Sequence, residues 1–179
     1  MNPAVSVALA CVGKFPWKSV LHYLPAQYLG AWIGSALVLL TYKDAINYFY
    51  AEQDVSDWGM DTAGIFVTSP APGVSNLGGA IDQVVGTALL LLGVSAVGYK
   101  KNSRMSSIIG PLLVSFLVMA IGICFGHNAG YFILYSSLFT LITNNSIIVR
   151  YAINPARDLG PRIMTWMFGW GEQVRKHFI

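Results

Sequence analysis

Apolar residues fall in long blocks along this chain, and the short stretches between the blocks collect most of the charge. That pattern predicts membrane-crossing helices rather than one water-soluble core. The first block, SVLHYLPAQYLGAWIGSALVLLTY between Lys18 and Lys43, runs about 24 residues without a formal charge, enough to cross a hydrocarbon core of ~30 Å with some tilt. Its awkward members, His22, Pro25 and Gln27, are expected to face protein or a wet cavity, His22 as an interfacial residue. Residues 43–79 read as a long loop, made acidic by Asp44, Glu52, Asp54, Asp57 and Asp61 and given turns by TSPAPGVSNLGG. A second block from about Ala80 to Gly98 and a third from about Ile108 to Phe125, joined by the basic turn YKKNSR, predict a helical hairpin in the membrane.

Two further segments are too short to span. VSVALACVGKFPW follows Asn2-Pro3-Ala4, and RDLGPRIMTWMFGWG follows Asn154-Pro155-Ala156, each of ~13–15 residues against the ~20 that a span requires. Each Asn-Pro-Ala reads as a helix start, with Asn as the cap and Pro at the first helical position, where its missing N–H costs nothing. Both segments should dip into the membrane and return, and non-helical backbone at that depth is tolerated only where it is buried or lines water. A cavity between two half-helices follows. If they meet at the midplane, both positive dipole ends and both Asn carboxamides point into it, which repels cations and offers hydrogen bonds to neutral hydroxyls.

Composition agrees: of 179 residues 55% are apolar and 11% charged, far from the balance of a soluble domain. The net charge of +3 is too small and its basic residues too scattered for a nucleic-acid footprint, so lipids and like subunits are the expected partners. Lys14 and Lys18 before the first span, and Lys100, Lys101 and Arg104 between the second and third, assign those ends to the cytoplasm. The acidic loop then lies outside, and the two motifs fall on opposite sides, as in an inverted repeat with broken helices. Cys11 and Cys124 read as buried packing residues. No nucleophile sits in a catalytic constellation and no paired metal ligands occur, His127 and His177 being isolated loop residues, so neither an enzyme, a metal nor a cofactor is expected.

MNPAVS, GKFPW, PAQYLGA, TAGIFVTSPAP, DQVVGTALL and AINPARDLGPR closely resemble animal aquaglyceroporins of the major intrinsic protein (aquaporin) family, over nearly the whole chain apart from one internal block. The long motif NPARDLGPR is highly specific, its Asp after Arg being similar to glycerol channels rather than strict water channels. The resemblance implies a partial aquaporin-like helical bundle of about three transmembrane helices and two re-entrant half-helices. It implies a passive channel for glycerol, water and other small neutral solutes, a homotetramer with one pore per subunit, and a multi-pass protein of the plasma membrane. Arg157 is then the selectivity-filter arginine, whose donors can hold adjacent hydroxyls of a polyol. Gly122 is the small filter position and Tyr151 the aromatic wall. Asp82 is the buried acid that holds the outer re-entrant loop, against a plain reading of it as an interfacial cap of the second span, and Asp158 is an anchor that widens the pore mouth.

Two departures matter. The family has six spans, whereas here the first two and the last are expected to be missing, which makes a non-conducting truncated isoform or gene-model fragment the alternative function. Residues 132–151, FILYSSLFTLITNNSIIVRY, intervene where the family would read GHNAGY directly into AINPARD. The expected division is therefore a first half-helix at 1–17, three spans and loops at 18–131, an insertion at 132–151 and a second half-helix at 152–171. Because both edges of the block end in Tyr, Tyr131 and Tyr151 compete for the filter position. Other readings of the block are an added outer segment with a glycosylation site at Asn144-Asn145-Ser146 or an extra span from Phe132.

Overall fold

In a computed structural model of the chain the structure describes residues 2–52, 58–68, 73–99, 103–129, 133–134, 147–148 and 152–171. The elements in chain order are α1 (Pro3–Cys11), α2 (Trp17–Glu52), α3 (Met60–Ala63), α4 (Asn76–Val97), α5 (Ser103–Ala129), β1 (Ile133–Leu134), β2 (Ile147–Ile148) and α6 (Pro155–Phe168). Among the described residues three helical segments are long and apolar enough to cross a membrane: Trp17–Glu52, Asn76–Val97 and Ile108–Gly126. All three blocks read from the sequence are therefore helices, and their large outward side chains, such as Leu21, Leu40, Leu92, Ile108 and Ile123, lie exposed as lipid-facing residues do.

The boundaries depart from the reading of 43–79 as loop. α2 continues through Lys43 to Glu52, because the inward stripe of Leu39 is prolonged by Ile46 and Tyr50, seven and four residues on, which keep one face of the extended helix buried. At the other end α4 begins at Asn76, where the Ser75 hydroxyl accepts from the Gly78 N–H at 3.1 Å. Asp82 thus lies inside the helix, and the reading of it as the cap of this span is corrected.

The chain divides into two compact units, Met1–Val67 with Asn154–Ile179, and Thr68–Ile153. In the first, α1 and α6 both pack on α2 and touch one another. Its core gathers Leu39, Ile46 and Tyr50 of α2, Ala63, Phe66 and Val67 from α3 and the turn after it, and Met164 and Trp170 from α6 and its end. Polar groups inside this core are satisfied: Trp170 Nε1 donates to Thr62 Oγ1 at 3.1 Å, Thr62 Oγ1 pairs with the Tyr50 hydroxyl at 3.0 Å, and that hydroxyl accepts from the Gly59 N–H at 2.7 Å. Trp58 stacks against Trp170 with ring centroids 4.7 Å apart. Only glycine fits at 169, where φ is 139° and a Cβ would stand 2.6 Å from Trp58 Cε3.

In the second unit α4 packs along α5. Gly79, Gly86 and Gly93 recur every seven residues and give α4 a face of minimal relief. A Cβ at Gly93 would collide with the Leu117 side chain of α5, and one at Gly86 would stand 3.0 Å from Ile153 Cγ2. β1 and β2 form an antiparallel ladder, Ile133 opposite Ile148 and Leu134 opposite Ile147. The described residues of the 132–151 block are thus extended, contrary to the reading of a helical span from Phe132, and Asn144-Asn145-Ser146 lies outside the described residues. Cys11 and Cys124 are exposed free thiols, not core residues, because the apolar sequence around them faces outward.

Candidate pore site

The two Asn-Pro-Ala motifs fold alike. Asn2 is extended (φ −153°, ψ 112°) and its Oδ1 accepts from Ala4 N at 3.0 Å and Val5 N at 3.5 Å. Asn154 is extended (φ −147°, ψ 101°) and its Oδ1 accepts from Ala156 N at 3.1 Å and Arg157 N at 3.3 Å. In both, proline occupies the first helical position, where it deprives the helix of no hydrogen bond, and fixes φ for the first turn. With Oδ1 engaged by its own helix, the chemistry that each carboxamide presents beyond the helix end is that of a donor. At ~1.5 Å per residue, α1 rises ~14 Å and α6 ~21 Å, both short of a ~30 Å core, as half-helices should be.

A cavity of about 380 Å³ opens in the first unit. Asn154, Ala156, Arg157 and Pro161 of the second motif form one wall, Gln27, Gly30, Ala31, Ser35 and Val38 of α2 the other, with Ile65 and Phe66 beside them. Arg157 Nη1 is buried, and the N-terminus of α6 adds its positive dipole end to the guanidinium charge. Of the awkward members of the first span, Gln27 is 5% exposed and lines the cavity, whereas Pro25 lies exposed on α2, contrary to the expectation. His22 also lies exposed, with Nδ1 2.8 Å from the Lys18 carbonyl oxygen, as an interfacial residue should.

The remaining expected site residues distribute as follows. Asn2, Pro3 and Ala4 belong with Asn154, Pro155, Ala156 and Arg157 to the first unit. Gly122 is buried in α5, in the second unit. Tyr131 and Tyr151 both lie outside the described residues. Asp158 sits in the first turn of α6, and its two oxygens receive Arg162 Nη2 at 2.9 Å and Nε at 3.2 Å, a bidentate pair four residues apart. Arg162, 3% exposed, escaped the sequence reading, although the i, i+4 spacing of acid and base in NPARDLGPR was the available signal.

Asp82 Oδ2 is buried and has no hydrogen-bond partner among the described residues. Its neighbour Gln83, which the sequence reading passed over, does bond the backbone before the second motif: Gln83 Oε1 accepts the Ile153 N–H at 2.7 Å. Ile153 immediately precedes the second motif and has φ of 31°, a left-handed conformation unusual for a β-branched residue. The bond to Gln83 and the packing of its side chain against Gly86 hold it there.

Three apolar spans and two proline-started half-helices that meet in one unit define a multi-span membrane protein with paired Asn-Pro-Ala helices. The sequence model described as "Major intrinsic protein" matches residues 1–134, and the chain belongs to that family. It is 36% identical over 179 residues to Aquaporin-10 of Milnesium tardigradum, covering 99% of this chain and 39% of that protein. To human Aquaporin-10 it is 33% identical over 174 residues, covering 97% and 51%. Among solved structures it is similar to the aquaglyceroporin from Plasmodium falciparum, at TM-score 0.66 and 26% identity, covering 97% of this chain and 59% of that one. The chain thus spans about half the length of the curated relatives it matches.

Proposed function

We propose that this chain supplies the selective half of a passive channel for glycerol, water and other small neutral solutes. The observation that carries the reading is the pair of alike Asn-Pro-Ala helix starts in one compact unit, the second of them on a cavity wall with Arg157. On this reading Asn2 and Asn154 donate to a passing oxygen, and Arg157 holds a polyol by adjacent hydroxyls while its charge, added to the helix dipole ends, repels cations. Gly122 leaves room for the carbon backbone, with Tyr131 or Tyr151 as the aromatic side of the filter. Asp82 and Asp158 are structural acids, Asp158 acting through its pair with Arg162. Relatives named aquaporin and aquaglyceroporin support the permeant class, and the Asp after Arg157 favours glycerol. The same reading takes the assembly as a homotetramer in the plasma membrane.

The block at 132–151 is, on this reading, an insertion into the channel. In support, the family match ends at residue 134, two residues past Phe132 at the start of the block. A second reading, a non-conducting truncated form, is favoured by Asp82, whose buried carboxylate oxygen lacks a partner among the described residues. The two readings separate when the chain, and a version lacking residues 132–151, are expressed in oocytes and brought to the surface. Glycerol uptake and osmotic swelling by either form support the channel; silence from both at confirmed surface density supports the non-conducting form.

A further inference from the structure

α1 is small and apolar on nearly every side. In PAVSVALAC the one strong hydrogen-bonding side chain is that of Ser6. The two buried residues of this helix, Pro3 and Ala10, lie three before and four after Ser6, which puts all three on one face. Burial alone does not choose that face. A turn of α1 by one residue, ~100°, would bury Ala4, Val7 and Cys11 in their place, an equally apolar set. What such a turn would lose is a hydrogen bond to α2: Gln27 Nε2 donates to Ser6 Oγ at 2.9 Å. Ser6 Oγ donates its single proton to the Asn2 carbonyl at 3.2 Å, and so accepts from Gln27. Gln27 is 5% exposed and its buried Oε1 has no hydrogen-bond partner among the described residues, so among them Ser6 alone orients this carboxamide.

That bond ends beside the first motif. The Asn2 carbonyl that Ser6 Oγ holds also takes the first main-chain bond of α1, from Ser6 N at 3.0 Å, and the Asn2 side chain caps the same turn at Ala4 N and Val5 N. Asn2 and Ser6 therefore move together as one turn of helix. One residue along α2, Tyr28 begins the stretch that seats α6: a Cβ on Gly160 would stand 3.1 Å from the Tyr28 carbonyl oxygen and 2.7 Å from the Ala31 Cβ. Little more than one turn of α2 thus holds both half-helices, α6 by close van der Waals contact and α1 by a directional bond. We propose that Gln27 is a positioning residue for the first motif: by holding Ser6 it sets the rotation of α1 on α2, and with it the direction in which Asn2 presents its carboxamide. In an apolar setting polar contacts and close packing between helices, not hydrophobic burial, decide which faces meet. The assignment deepens the channel reading and rests on it for what that carboxamide meets.

The test is the chain reconstituted in lipid bilayers with ¹⁵N at the asparagine side chains and followed by solid-state NMR. Asn2→Asp and Asn47→Asp identify the signals of Asn2 and of Asn47, which accepts from Trp58 Nε1 and serves as the control. Gln27→Met keeps the size of the side chain, removes the donor and leaves Ser6 its own bond to Asn2. It is expected to shift or split the Asn2 signal and to leave that of Asn47 in place. An Asn2 signal that does not move overturns the proposal; movement of Asn2 and Asn47 together makes Gln27 a general packing residue and overturns it as well. In the unaltered chain, dipolar recoupling between glutamine Nε2 and serine Cβ is expected to show a contact that Gln27→Met abolishes, and its absence would sink the assignment without any variant. In vesicles, Gln27→Met is expected to lower glycerol permeability about threefold, the weight of an average hydrogen bond between membrane helices. Adding it to Ser6→Ala, which already lacks the bond, should cost nothing more, and losses that multiply are the contrary result. A moved Asn2 signal in a chain that passes no glycerol would sink the channel reading and leave the positioning role standing.

Discussion

Gly160 of α6 lies so close to Ala31 of α2 that a Cβ at position 160 would stand 2.7 Å from the Ala31 Cβ and 3.0 Å from the Trp32 backbone nitrogen. Neither neighbour is the end of a flexible side chain, so the two helices would have to separate. Gly160→Ala is expected to destabilise the chain by about 1–3 kcal/mol, the range for overpacking a tight contact. Unfolding in mixed micelles, followed by tryptophan fluorescence, measures it; an unchanged midpoint would show that this crossing is looser than the distances say.

The end of α6 is tied to the segment around α3 by one bond between residues 108 positions apart, Trp170 Nε1 to Thr62 Oγ1. Trp170→Phe keeps most of the ring packing against Trp58 and Phe66 and removes the donor. The expected cost is about 0.5–1.5 kcal/mol, with a larger loss for Trp170→Ala, which also empties the core, and the same unfolding assay ranks the two.

Asp158 and Arg162 make an unequal pair, with side chains 26% and 3% exposed. Removing the carboxylate from a buried arginine costs about 3–5 kcal/mol where both partners are dry. Because water reaches Asp158, Asp158→Ala is expected at or below the lower end of that range. Arg162→Met, which fills the space without charge, should cost less, and the double variant should be no worse than Asp158→Ala. A double variant clearly worse than both singles would contradict the pairing as the source of the effect.

Gln83 is expected to control the residue before the second motif. Gln83→Leu removes the acceptor of the Ile153 N–H while keeping an apolar side chain of similar size. Amide hydrogen exchange at Ile153 should then rise about tenfold, since one hydrogen bond no longer opposes opening. Exchange at the α2 amides serves as the control, and an unchanged rate at Ile153 is the contrary result.

Much of this was legible from residue order. The spans at α2, α4 and α5 follow from runs of apolar residues that no soluble core of this size requires, and both half-helix starts follow from Asn before Pro. Cap geometry is a local matter, settled within four residues, and both motifs adopted it. The end of α2 was misplaced because Lys43 and Asp44 look like a boundary when read one residue at a time; Ile46 and Tyr50 bury the opposite face of the same helix. The cysteines were misplaced because an apolar neighbourhood means a core in water and an outward face in lipid.

The sequence by itself determined the membrane class, the three spans and the two proline-started helices, since each depends on the hydrophobic length of a segment or on bonds within one turn. Only the tertiary structure decided that Gln27 reaches Ser6, that Gln83 holds the Ile153 N–H, and that Gly160 is where α6 meets α2. Those relationships join residues 21, 70 and more than 100 positions apart. A hydrogen bond forms only within about 3.5 Å, and no local pattern tells a side chain which distant partner the packing of helices will bring that near.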